Sequence, residues 1–346
     1  MSNRAPAYVY ELEVTEGLED LARIEVEQQL GAGLREMRAG KGWLRFSTQA
    51  RPTVVNRLRL AESAFQVHTF EVPRPRALLG DEHFRRLRSA IIATAAEFSE
   101  RPNTFELAAA GTESSVMVRL RAEMARATGL TDGNHKGDVQ IRLFRARTGD
   151  GWDALIRLTP RPLSTREWRV CSFPGALNAT VAHAMARLTR PKETDVFVNL
   201  LSGSGSLLIE RLDQVNVQAA IGVELEAQQN DCARRNLEAA RVGQRVHLIQ
   251  ADARMLPLPD GCADALCADL PFGQRVGRHS DNERLYPFVF AEAARIARRN
   301  ALFALITHEV KLTEALLDAQ AAWRVRRVLS LNLRGLHPRI YVLERI

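Results

Sequence analysis

Apolar and polar positions change rhythm along the chain, and each change marks an element. From Tyr8 to Val14 they alternate, which predicts a strand; from Leu18 to Leu30 the apolar residues recur at helical spacing. Two short strands are expected around Leu34–Arg38 and Trp43–Phe46, then a helix over Pro52–Arg59 and a strand over Phe65–Val72. That β-α-β-β-α-β order predicts a ferredoxin-like domain over residues 1–72. Pro73, Pro75 and the arginines among them read as a linker into a second α+β module over 73–160. This module has a helix whose apolar side carries Phe84, Leu87, Ile91 and Ile92, a strand over Thr104–Ala109, and a helix from Ser114 to Ala127. After a polar loop, Gly129 to Lys136, it closes with the strand pair Asp138–Arg145 and Asp153–Leu158 turned at Thr148–Gly151.

From about Arg161 the strands become continuously apolar and are separated by helices: Val196–Leu200, Ala219–Val223, Val246–Ile249, Ala265–Ala268 and Ala301–Thr307. Such strands are buried on both faces, so residues 161–346 are expected to form a mostly parallel, helix-covered α/β sheet of Rossmann-like type. Two last strands, near Arg324–Leu331 and Arg339–Glu344, flank Gly335 and Pro338 and predict an antiparallel hairpin.

With 346 residues, 46% hydrophobic and 26% charged, the chain has the make-up of a multi-domain globular protein. Lys and Arg exceed Asp and Glu by 48 to 41, and most of the basic residues are Arg. An arginine surplus suits a polyanionic partner, although a solvated basic surface explains it equally. Met1 to Tyr10 holds no apolar core of signal-peptide length, and no apolar run approaches the roughly 18 residues of a membrane span. A cytoplasmic location without membrane partners is therefore expected. Cys171, Cys232, Cys262 and Cys267 lack the spacing of a zinc site, and it indicates no disulfide framework; no metal is expected.

The chemistry-bearing residues cluster at strand ends. The strand over Phe197–Leu200 runs through Leu201 and Ser202 into Gly203-Ser204-Gly205 and straight on into a helix. Glycines there let a ligand approach the main chain, and the helix start offers free N–H donors. Alone, this turn also fits a dinucleotide site or an ordinary tight turn. The next strand ends in Glu224, whose carboxylate can accept both hydroxyls of a ribose. A third ends ahead of Asp252, which can accept from an adenine amino group. The fourth ends in Asp269-Leu270-Pro271-Phe272-Gly273.

Here the sequence resembles the class I methyltransferases of base amino groups, whose fourth strand ends in a variant of Asp/Asn-Pro-Pro-Tyr/Phe. The longer run, through Arg275, Arg278 and His279 to Leu285-Tyr286-Pro287, and the stretch from Arg166 through Trp168 to Asn178 and Thr180, are similar to the THUMP-domain tRNA guanine-N2-methyltransferases. The resemblance implies a THUMP module at 73–160, S-adenosylmethionine as cofactor, and tRNA as partner of a monomeric enzyme. Its cofactor residues would be Asn199, Ser202, Gly203, Ser204, Gly205, Glu224, Leu225, Asp252, Ala253 and Asp269. Asp269, Leu270, Pro271 and Phe272 would form the catalytic turn, with Asp269 and a main-chain carbonyl accepting from the amino group and Phe272 stacking on the extruded base. Arg275, Arg278 and His279 would contact RNA.

Two residues depart from the family pattern. Asn199 stands where an acidic residue is usual, which predicts weaker cofactor binding, and Leu270 replaces the first proline. Methylation of another base amino group (rRNA guanine N2 or adenine N6), or a catalytically weak RNA-binding protein, is the alternative. His135 and Lys136 fit a phosphate contact or a solvated loop, Arg85, Arg86 and Arg88 fit a solvated helix face, and the neighbours His308 and Glu309 read as structural.

Overall fold

The computed structural model describes residues 7–272 and 279–346. They fall into two compact units, residues to Val14 with Glu19–Ser164, and Thr15–Leu18 with Thr165–Ile346.

In the first unit, β1 (Tyr8–Val14), α1 (Glu19–Leu30), β2 (Leu34–Gly40), β3 (Trp43–Thr48), α2 (Pro52–Val55) and β4 (Ala61–Phe70) follow the predicted order. Their strands pair antiparallel as β2-β3-β1-β4, the ferredoxin-like arrangement. Then come α3 (Asp81–Ala96), β5 (Thr104–Ala109), α4 (Ser115–Thr128), β6 (Thr131–Asp132), β7 (Val139–Arg145) and β8 (Trp152–Arg157). Local chemistry sets the limits of α4. The Ser114 hydroxyl accepts from the Met117 N–H at its start, and Gly129, at φ 74°, takes the left-handed turn that ends it.

The two predicted modules are joined by hydrogen bonds that the pattern did not reveal. Strand β4 pairs antiparallel with β8, from Phe65 opposite Arg157 to Phe70 opposite Trp152, and the result is one eight-stranded sheet. A buried charge cluster fastens it. Arg45 bridges Glu11 and Asp153 at 2.7 and 2.8 Å, and Arg147 holds both oxygens of Glu11 at 2.9 Å. On α3, Leu87 and Ile91 enter the core but Ile92 is exposed, because the next residue lies about 100° further round a helix.

The second unit is built on α5 (Ala179–Leu188), β9 (Val196–Leu200), α6 (Ser206–Gln214), β10 (Ala219–Glu224), α7 (Ala227–Ala239) and β11 (Val246–Gln250). There follow β12 (Ala263–Asp269), α8 (His279–Ile296), β13 (Ala297–Thr307), α9 (Val310–Asp318), β14 (Trp323–Ser330) and β15 (Arg339–Arg345). The sheet runs β11-β10-β9-β12-β13-β15-β14, parallel as far as β13 and antiparallel beyond it. Phe197, Val198, Leu200, Leu266, Cys267 and Ala268 are all buried, as double-faced coverage requires. Strand order reverses between β9 and β12, and in open α/β sheets a ligand binds at the carboxyl ends beside such a reversal.

One expectation is overturned. Cys171 and Cys232 are joined by a disulfide across 61 residues of sequence. The pairing comes from tertiary folding, which lays the segment entering the unit along α7. One turn further on that helix, Asn236 accepts from the Cys171 N–H and donates to its carbonyl, both at 2.9 Å. Among the described residues no helix is long and apolar enough to cross a membrane.

Candidate active site

Register brings the four strand ends together. Val223, Leu200 and Ala268 lie side by side on β10, β9 and β12, so the next residues along, Glu224, Leu201 and Asp269, share one rim. At about 4.8 Å per strand, Glu224 and Asp269 stand roughly 10 Å apart across it. Gln250 pairs with Glu224 on β10, which places Asp252 just beyond the same edge.

Between them the chain turns sharply. Leu201 has φ 54°, a left-handed conformation that bulky residues rarely adopt, followed by Gly203 at 52° and Gly205 at 79°. The left-handed φ favours glycine at both positions; a Cβ on Gly205 would also press on Ala233 at 3.3 Å, whereas one on Gly203 would make only ordinary contact with the Phe173 ring at 3.4 Å. Asn236 also donates to the Ser204 carbonyl at 2.9 Å, and Arg169 donates to Ser206 Oγ at 3.0 Å and to the Leu177 carbonyl at 2.8 Å. The approach segment is therefore bolted to the glycine turn. Ser202 Oγ is buried and has no hydrogen-bond partner among the described residues, a polar group left for a ligand.

The carboxylates of the rim differ. Glu224 is 8% exposed and accepts from the N–H groups of Gly203 (2.8 Å) and Glu226 (3.1 Å), keeping one lone pair per oxygen for a diol. Asp252 is engaged: Arg254, two residues on, grips both of its oxygens at 2.6 to 3.1 Å and holds its carboxyl below the usual range. Ala253 beside it is buried, and Leu225, next to Glu224, exposes an apolar side chain. Asp269 is half-buried at the rim, and the protein packed around it disfavours the charged form and pushes its carboxyl up to about 7.

Of the other predicted residues, Asn199 is 1% exposed inside the sheet, and its amide, turned so that the nitrogen faces the carbonyls of Leu200 and Cys267, would donate to both at 3.2 Å. The Leu270 side chain is buried in the hydrophobic core and its N–H is given to the Ile306 carbonyl at 3.1 Å. Its carbonyl has no partner among the described residues. The Pro271 carbonyl accepts from Asn282 Nδ2 at 2.9 Å and from the Tyr286 hydroxyl at 2.7 Å. The Phe272 ring sits 6.1 Å from that of His308, tilted by 34°. Arg275 and Arg278 lie outside the described residues. His279 opens α8 between two carboxylates, Glu309 at 2.9 Å and Glu283 at 3.4 Å. Sequence reasoning set aside His308 and Glu309, which adjoin the turn; the register of β13 against β12, Ile306 beside Asp269, was the signal that places them there.

A glycine turn and acidic strand end at the order reversal, an Asp-x-Pro-Phe turn on the adjacent strand, and a closing antiparallel hairpin define a Rossmann-like class I methyltransferase fold. The RMKL-like methyltransferase domain matches residues 166–339, about half of the chain, and the chain belongs to that family. It is 31% identical over 204 residues to the tRNA (guanine(6)-N(2))-methyltransferase THUMP3 of Mus musculus, an alignment covering 55% of this chain and 40% of the mouse protein. The chain thus spans well under half the length of that relative. With the tRNA (guanine(6)-N2)-methyltransferase of Methanocaldococcus jannaschii it shares 22% identity over 96% of this chain and 99% of the other. Among solved structures, TrmN from Thermus thermophilus superposes with a TM-score of 0.76 at 23% identity, covering 98% of this chain and all of that one.

Proposed function

We propose that this chain transfers a methyl group from S-adenosylmethionine to the exocyclic N2 of a guanosine in tRNA. The observation that carries the reading is the shared rim, which sets the Asp269–Phe272 turn one strand from the Gly203 turn and two from Glu224. Bound there, the cofactor supplies a methyl carbon already activated as a sulfonium.

The residues fit such a group. Glu224 would take the ribose hydroxyls through its free lone pairs, Ser202 Oγ and the main chain of Gly203 to Gly205 would line the turn, and Leu225 would lie against the adenine. Asp252, held by Arg254, offers its remaining lone pairs, with Ala253 contributing main chain. Asn199 supports the strand ends from within. Asp269 and a carbonyl of its turn would accept from the amino group and aim the nitrogen lone pair, while Phe272 stacks on the extruded base. As the nitrogen takes the methyl group it must lose a proton, and a carboxylate with a pKa near neutrality is matched to receive one.

The first unit would hold the RNA, residues 1–72 as a ferredoxin-like module and 73–160 as a THUMP module. An open cavity of about 590 Å³ in it is lined by Arg74, Arg76 and Arg119 with no carboxylate among its walls, a surface suited to phosphates. Arg275 and Arg278, outside the described residues, would add RNA contacts. The names of the mouse and archaeal relatives point to the guanosine at position 6 as the first to examine. The test is mass-spectrometric nucleoside analysis of tRNA incubated with the chain and cofactor. N2-methylguanosine is expected; its absence, or N6-methyladenosine in its place, would overturn the proposal.

A further inference from the structure

This inference rests on the reading of the Asp269–Phe272 turn as the place where the amino group is held. Two hydrogen-bonded arms leave Glu309 and meet on one atom of that turn, the Pro271 carbonyl oxygen. Along the first, the Glu309 N–H donates to Thr307 Oγ1 at 2.9 Å, Thr307 and the Tyr286 hydroxyl lie 2.7 Å apart, and that hydroxyl reaches the Pro271 carbonyl at 2.7 Å. Directions follow from the end groups. A carbonyl only accepts, so the single phenolic proton goes to Pro271, and Thr307 must donate its own to Tyr286. Burial pushes the Tyr286 phenol above its ordinary range, so it stays a donor. Three donors point the same way, an arrangement in which each bond polarises the next.

Along the second arm, Asn282 Nδ2 donates to the Pro271 carbonyl at 2.9 Å and to Glu309 Oε1 at 3.1 Å. Both partners are acceptors, which fixes the amide's orientation. Glu309 Oε2 is steadied in turn by His279 Nδ1 at 2.9 Å. Asn282, Tyr286 and Thr307 are each 1% exposed or less, so water does not compete for these groups.

The Pro271 carbonyl thus has both lone pairs occupied. Among the described residues the Leu270 carbonyl, next to Asp269, has no hydrogen-bond partner and is a main-chain acceptor the turn can offer. We propose that Glu309 is a positioning residue which, through Asn282 and through Thr307 and Tyr286, pins the Pro271 peptide and so aims the Asp269 carboxylate and the Leu270 carbonyl at the base amino group.

Single-turnover methyl transfer, with cofactor and tRNA saturating, tests it alongside cofactor affinity by calorimetry and thermal melting. Tyr286→Phe and Thr307→Val should each slow transfer about 10-fold, since a turn displaced by a fraction of an ångström loses alignment. Because they lie on one arm, the double variant should be no slower than Tyr286→Phe alone. Tyr286→Phe with Asn282→Ala, which cuts both arms, should lose on the order of 100-fold. Glu309→Gln keeps an acceptor for Asn282 and should approach the wild-type rate, whereas Glu309→Ala should match Asn282→Ala. Cofactor affinity should stay within about twofold throughout, as no arm touches its turn. Wild-type rates in Tyr286→Phe, multiplying effects within one arm, or rate losses that merely follow melting temperature would overturn the proposal. Failure of the wild-type chain to methylate any base amino group would instead overturn the functional reading beneath it.

Discussion

Glu224 and Asp269 end strands on either side of β9, at the same height of one sheet, yet their surroundings differ. Glu224 receives two main-chain N–H groups and so sits in a fixed, satisfied pose. Asp269 is crowded by protein, and its ionised form is disfavoured until about pH 7. A carboxylate already stabilised is suited to holding a neutral diol. One whose charge is poorly solvated gains most from a hydrogen-bond donor brought by the substrate, so under the proposed function the rim would divide into a half that holds and a half that reacts.

The sharpest way to break this comparison is Asp269→Ala. Turnover should fall by about 10³-fold with little change in cofactor affinity, because the lost acceptor acts where the amino group is aimed. A loss confined to cofactor binding would erase the distinction. Removing the Cys171–Cys232 link with paired Ser substitutions should cost the second unit on the order of 3 kcal/mol, read by denaturant unfolding, since the crosslink closes a long loop. The damage should fall on cofactor affinity, because the fastened segment adjoins Gly203, and leave the pH dependence of transfer intact.

Glu224→Ala should weaken cofactor binding about 100-fold by calorimetry, the worth of two hydrogen bonds to a charged acceptor, while transfer at saturating cofactor changes only a few-fold. Smallest is the pH effect. With the acceptor form of Asp269 present only above about pH 7, wild-type transfer at pH 6 should be about tenfold below its plateau. Asp269→Asn, whose amide oxygen accepts at any pH, should flatten that limb. The same substitution should stabilise the fold at pH 8. The folded carboxyl titrates above the unfolded one, so stability falls as pH rises from about 4 to 7, and the amide escapes that penalty. A pH profile unchanged in Asp269→Asn would assign the titration to another group.

Much of this molecule is legible in its pattern. Continuous apolar strands marked the parallel sheet, alternation marked the ferredoxin-like strands, and Gly203, Gly205, Glu224 and Asp269 stand at strand ends where the run of residue types places them, because periodicity and glycine usage report local conformation directly. Partners are another matter. That β4 would pair with β8, that Cys171 would meet Cys232, that Arg254 would occupy Asp252, and that Glu309 would reach Pro271 by two routes depends on groups distant in sequence or on rotamers chosen by the surrounding packing. Residue type states what a side chain is able to bond; only the closed tertiary structure, where each buried donor takes the acceptor within reach, decides which bond it makes.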